Sequence, residues 1–306
     1  MTMLPLDEHP LAVRFAEATR AAALAAMPLV GGDDRDAVDA VAVAAMRAAL
    51  ADVPVDGRVV VGEGEKDDAP MLHLGERFGT GAGPALDLAV DPVDGTSLAA
   101  AGQPGAMAVL AVAPRDAFAE IGPAHYMAKL VSHVHGLEID APIREAVAVI
   151  AAARGVPVDR VRVAVQDRPR NAMLADAAEA AGAQVERFVH GDVERCLRAA
   201  RADGGLDLVA GIGGAPEGVL TSAAVRALGG SMQARLAPQS AEESERVAAA
   251  GIPLGRVLGI DDLCGAPAAV FLAAVTACDL GGGARLSPGE AWRVGDGRAL
   301  GAAGLG

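Results

Sequence analysis

An α/β fold in two intimate lobes is what this sequence predicts, on three observations. From about residue 140 onward, segments of helical and strand-like spacing alternate, the pattern of an α/β layer. Before that, three short apolar runs of strand length follow two long helical stretches. The chain's 306 residues also exceed what one core usually serves. Alanine and valine carry the apolar share of 52%, because aromatic residues make up only 2%.

The elements follow in order. Residues 10–27 and 34–50 have helical spacing and stop at Pro28 and near Pro54. Segment 58–61 reads as a buried strand, and 69–78 as a helix with Pro70 in its first turn. Runs 85–90 and 106–112 are strands, neighbours in one mixed sheet. Then come helix 142–154, strand 161–166, helix 169–181, strand 183–189 and helix 192–201. Strand 206–210 runs into the glycine loop Gly211-Ile212-Gly213-Gly214, and a helix starts near Pro216. This alternation favours parallel pairing. Beyond Val257 the sequence predicts one buried strand at 268–275 and weak edge strands. The lobes divide as 1–160 and 161–306.

A net charge of −14 argues against nucleic-acid and anionic-membrane partners. No apolar stretch reaches the roughly eighteen residues of a spanning helix. The first residues lack a basic, signal-like start, so a cytoplasmic protein is expected. Cys196, Cys264 and Cys278 are too far apart for a metal or redox motif and read as small buried hydrophobes. With two lysines in the chain, Lys66 and Lys129, arginine supplies most of the positive charge.

The chemistry concentrates in two strings. Val-Gly-Glu-Gly-Glu-Lys-Asp-Asp spans 61–68, and Val-Asp-Pro-Val-Asp-Gly-Thr-Ser spans 90–97. Glu63, Asp67, Asp91 and Asp94 thus stand at the ends of apolar strands beside glycines. Such hard-oxygen clusters hold Mg²⁺ or Mn²⁺, and those ions serve phosphate esters. Gly95 lets the backbone approach closely, and Thr96 either caps the helix it opens or orients an attacking water. Asp67 is placed to act on that water. Asp33, Asp34 and Asp36 fit the capping and dipole of the second helix. Asp39, one turn further in, is harder to explain structurally. Arg168-Pro169-Arg170 leaves a strand and opens a helix, so both guanidiniums suit a phosphate.

These residues carry a resemblance. The two strings and Gly211-Ile-Gly-Gly-Ala-Pro-Glu-Gly218, in this order, resemble bacterial class II fructose-1,6-bisphosphatase, a member of the lithium-sensitive sugar and inositol phosphatase superfamily. The likeness runs from about residue 10 to 282. It implies a layered α/β/α/β/α sandwich. It also implies Mg²⁺- or Mn²⁺-dependent hydrolysis of the 1-phosphate of fructose 1,6-bisphosphate, as in gluconeogenesis. By this resemblance Asp39 and Glu63 hold one metal, Asp91 and Asp94 the other, and Glu217 lies near the metal centre. Asp67 and Thr96 activate the water, and Asp94, Gly95 and Thr96 line the 1-phosphate. Tyr126, Arg168, Arg170, His190, Gly191, Asp192 and Gly214 contact the substrate. Residues 1–160 become the metal-binding catalytic lobe and 161–306 the substrate-recognition lobe, with a homo-oligomer implied.

The departures cluster in the second lobe. The family's Asp-Gly-Asp sugar turn reads His190-Gly191-Asp192, and the usual His after the arginine pair is Asn171. The family's Thr- and Gly-rich strand exit reads Leu272-Ala-Ala-Val-Thr-Ala-Cys-Asp279. Sedoheptulose 1,7-bisphosphate or another sugar or inositol phosphate stays open as the substrate. A metal- or metabolite-binding paralogue with little turnover is the alternative of a different class.

Overall fold

The computed structural model describes residues 10–62, 72–295 and 299–300. The chain opens with α1 (Pro10–Ala26), α2 (Arg35–Leu50), β1 (Asp56–Val61), β2 (Arg77–Phe78), β3 (Ala85–Asp94), α3 (Thr96–Ala100) and β4 (Met107–Pro114). Its middle holds β5 (Tyr126–Ser132), α4 (Ile143–Arg154), β6 (Arg162–Gln166), α5 (Ala172–Ala180), β7 (Gln184–Phe188), α6 (Asp192–Ala199) and β8 (Leu208–Gly214). There follow α7 (Ala215–Ala227), β9 (Ser231–Leu236), α8 (Ala241–Ala249), β10 (Leu258–Gly259) and α9 (Ile260–Leu263). Short strands close it: β11 (Ala269–Ala274), β12 (Cys278–Asp279), β13 (Arg285–Leu286), β14 (Ala291–Arg293) and β15 (Ala299–Leu300).

Two compact units result, one from residues 1–118, 264–279 and 284–306, the other from 119–263 and 280–283. The sequence reading puts its boundary at 160. In the structure β5 (126–132) pairs with β8 and β9, so it belongs with the later strands. β11 returns to pair along the whole of β4.

In the first unit one sheet runs β15-β14-β11-β4-β3-β1-β2, with β1 and β3 parallel and the other pairs antiparallel. Apolar side chains of α1 recur at helical spacing (Leu11, Phe15, Ala18, Ala22, Ala26) and are buried. α1 gives way at Pro28 to a single 3-10 turn. α2 starts where Asp34 accepts the Ala37 N–H at 2.9 Å, the expected cap. Both helices cover the sheet face of Leu88, Val90, Leu110, Val112 and Phe271. Phe15 meets Phe271 at 6.2 Å and the edge of Phe78 at 6.4 Å.

The helix expected over 69–78 does not form in its described part, 72–78. Gly75 turns the chain at φ +85, and Arg77–Phe78 pairs antiparallel with β1. Residues 63–71 lie outside the described residues.

In the second unit the order is β10-β9-β5-β8-β6-β7. The alternation predicts parallel pairing, and β6 is parallel to β7 and β8, but β5 runs antiparallel to β8 and β9. The sheet is mixed because 126–132 enters it as a central strand. Leu130, Val163, Val165, Leu208 and Ala210 face α4 and α5. On the opposite face, Gly218 of α7 closes onto Met127. One helix layer on the first sheet and helices on both faces of the second match the α/β class expected. The glycines 211–214 are not a free loop, since each pairs with β5 as the end of β8.

Candidate active site

In the first unit the decisive local feature is a bulge. Strand residues three apart normally face opposite ways. Asp91 pairs opposite Val109, and Asp94 opposite Met107, three steps on β3 against two on β4. The extra residue in the Pro92–Val93 segment is a β-bulge, a place where proline is tolerated in a sheet. Directly paired residues share a face, so the bulge returns Asp94 to the face of Asp91. Val90 and Val93 stay in the core on the other side. Asp91 and Asp94 keep only 8% and 6% exposure. The Val93 N–H donates to Asp91 Oδ1 at 3.0 Å and fixes that carboxylate.

Gly95 follows with φ +81, a left-handed turn that opens α3. Thr96 is therefore not the cap that the sequence allows. It is the first helical residue, and its hydroxyl donates to the Val93 carbonyl at 2.9 Å. Asp39 is half-buried on α2, beside the buried Val38 and Ala42. Glu63 and Asp67 fall outside the described residues. Among the described residues no group of three or more His, Cys, Asp or Glu gathers tightly enough to hold a metal alone. The donors present do fit one: two hard carboxylates on one sheet face, nearly withdrawn from water, suit an Mg²⁺-like ion.

In the second unit the predicted residues form two neighbouring groups. Tyr126 pairs across the sheet with Gly214, and the Arg170 guanidinium stacks over its ring at 4.7 Å. Arg170 also donates to the Ile212 carbonyl at 3.0 Å and to Gln166 Oε1 at 3.2 Å. Arg168 turns elsewhere, donating to the Val189 carbonyl at 2.9 Å next to His190. The arginine pair opens a 3-10 turn at Pro169–Asn171 rather than an α-helix. Asn171, buried behind it, uses its amide on both the Ile212 N–H (2.7 Å) and carbonyl (3.1 Å). It mimics a strand edge and so pins β8.

The other group surrounds Asp192. Gly191, left-handed at φ +84, caps α6, so Asp192 is not the cap. Its carboxylate forms an ion pair with Lys129, which is only 3% exposed. Glu217 opens α7 and folds back over Gly214, where a Cβ would fall 1.8 Å from its carboxylate. Desolvation pushes the Glu217 carboxyl above the ordinary glutamate value; its own backbone N–H and the Lys129 charge pull the other way. Burial is the largest influence on the Lys129 ammonium and would lower it, yet the groups around it, Asp192 foremost with Cys196 and Glu217, together raise it. Lys129 is a residue that the sequence reading does not select; a lone lysine inside an apolar strand was the available signal.

Residues 9–293 match the family described as bacterial fructose-1,6-bisphosphatase, glpX-encoded. The chain belongs to that family. The "Fructose-1,6-bisphosphatase 2 class 2" of Escherichia coli K12 is 42% identical over 261 residues, 80% of this chain and 81% of that protein. The "Fructose-1,6-bisphosphatase class 2" of Haemophilus influenzae is 40% identical, covering 83% and 80%. Membership makes the chain one of a family of metal-dependent phosphatases. Among the described residues no helix is long and apolar enough to cross a membrane.

Proposed function

We infer that the protein hydrolyses the 1-phosphate of fructose 1,6-bisphosphate to fructose 6-phosphate, a gluconeogenic step, with Mn²⁺ or Mg²⁺. The observation that carries this reading is the bulge that turns Asp91 and Asp94 to one face, in a chain matching the bisphosphatase family over 9–293. Asp39 and Glu63 would hold one metal ion and Asp91 and Asp94 the other, with Glu217 assigned by the resemblance to the same centre. Such ions neutralise phosphate charge and lower the pKa of water.

The chain's own residues do the rest. The Thr96 proton is committed to the Val93 carbonyl, so its oxygen is left to accept a hydrogen bond from the attacking water. Asp67 takes the proton from that water. Asp94, Gly95 and Thr96 receive the 1-phosphate. In the second unit Arg168 and Arg170 meet the distal phosphate, and Tyr126, Gly214 and the 190–192 turn meet the sugar. Arg170 is pre-set for this by its stacking on Tyr126 and its bond to Ile212. Sedoheptulose 1,7-bisphosphate, which shares the reacting end of the sugar, is the second reading, and His190 in place of a carboxylate leaves another sugar or inositol phosphate open. A cytoplasmic homo-oligomer belongs to the same proposal.

Phosphate release from purified protein tests it, with Mn²⁺ or Mg²⁺, across fructose 1,6-bisphosphate, sedoheptulose 1,7-bisphosphate and inositol monophosphate. Fructose 1,6-bisphosphate is expected to turn over fastest, and a chelator to abolish turnover. Metal binding without phosphate release from any of them would replace the enzyme with a binding paralogue. Wild-type turnover in Asp67→Ala would overturn the water assignment.

A further inference from the structure

A buried lysine needs a reason. Lys129 lies in the middle of β5, flanked by strands on both sides, with Gly211 and Ala234 as its cross-strand partners. Its ammonium points to the α6 side, where it meets Asp192. Gly213 is shaped to that pair: a Cβ there would lie 3.0 Å from Asp192 Oδ2 and 3.1 Å from Lys129 Nζ. The left-handed Gly191 brings Asp192 into the first turn of α6 without using its side chain as a cap. Three separate elements thus converge to hold one carboxylate. A buried ion pair is a poor way to gain stability, because desolvation cancels most of its attraction. Its presence here fits a role in fixing geometry.

We propose that Lys129 is a positioning residue for sugar recognition, holding Asp192 through Oδ2 so that Oδ1 is presented to a substrate hydroxyl. The inference rests on the reading of 190–192 as the sugar-contacting turn. It adds a determinant outside that turn. With His190 in place of a carboxylate, Asp192 is the remaining acidic acceptor of the turn, and its orientation matters more here. An aspartate free to rotate would lose the preset hydrogen bond, which is a binding effect rather than a chemical one.

The test compares wild type, Lys129→Met, Asp192→Asn and the double variant in steady-state kinetics on fructose 1,6-bisphosphate with saturating Mn²⁺. Lys129→Met is expected to raise KM roughly 10- to 100-fold, the range for a lost hydrogen bond to a charged group, with kcat little changed. The double variant should be no worse than the worse single one, because both act through one contact. It also removes both charges at once, so it stays folded if Lys129→Met does not, and its raised KM can still be read. A KM at the wild-type value in Lys129→Met overturns the proposal, as does a KM rise that adds fully to that of Asp192→Asn. If the wild type itself releases no phosphate, the functional reading fails; if it is active and the variants leave KM alone, only the Lys129 proposal does.

Discussion

Glu217 and Lys129 are both drawn away from water, Lys129 the more deeply, with opposite outcomes. Lys129 has Asp192 against it, and with Cys196 and Glu217 nearby the combined attraction more than offsets burial; Glu217 has Lys129 only at a distance, and desolvation wins. A carboxyl raised in the folded state lends stability that is complete below the ordinary glutamate value and is lost as pH climbs through the raised one. Glu217→Gln should therefore flatten the pH dependence of Tm in metal-free protein between those values, and raise Tm at neutral pH, while lowering metal-supported activity. A variant whose Tm follows the wild-type pH curve would contradict this. The same scale governs Asp91. Asp91→Asn keeps the shape and the contact to the Val93 N–H but halves the hard-oxygen donors at that position. It should cut turnover by more than about 100-fold, beyond the 10- to 100-fold typical of residues that only support a ligand. Phosphate release at rising Mn²⁺ checks it.

At the scale of the element, β5 is held where the site needs it by a residue far away in sequence. Glu243 on α8 is 3% exposed and accepts the N–H groups of His125 (2.8 Å) and Tyr126 (3.1 Å) on Oε1 and that of Gln239 (2.9 Å) on Oε2. Glu243→Ala leaves these donors without partners and should cost roughly 3 kcal/mol in a denaturant melt. It should also raise KM, because the start of β5 carries Tyr126. Glu243→Gln, which keeps one acceptor, should fall between. Sequence reading misses this joint for a physical reason: 126–132 interrupts its apolar character with Tyr126 and Lys129, so no clean run marks it as a central strand. β9 alternates Met232, Ala234 and Leu236 with Ser231, Gln233 and Arg235, a pattern that a search for continuous apolar runs passes over. The helices at 10–27, 34–50, 142–154 and 192–201 and the continuous apolar strands were legible because their periodicity is strong. In the candidate site, residue types at 90–97 announce the chemistry, and Pro92 hints at irregularity. That Asp91 and Asp94 share a face depends on pairing with β4, which no local pattern contains.

At the scale of the whole molecule, the two units differ in how their sheets are assembled from the chain. Every strand of the β10-β9-β5-β8-β6-β7 sheet comes from within 119–263. The other sheet is closed only when β11 arrives after that long excursion and pairs with β4 from Ala269↔Val112 to Ala274↔Met107. Until then β4 offers an unpaired edge reading Met-Ala-Val-Leu-Ala-Val, an invitation to associate with other chains. Phe271 seals the joint by reaching Phe15 of α1. A fragment of residues 119–263 should therefore fold by itself with a cooperative thermal transition, while a chain ending at 263 should aggregate. Within the full chain, Phe271→Ala should cost about 3–5 kcal/mol, the usual range for removing a buried ring. Circular dichroism melts of the fragment and the variant are the check. A disordered 119–263 fragment, or a Phe271→Ala protein as stable as wild type, would mean that the returning strand does not govern how the first sheet closes.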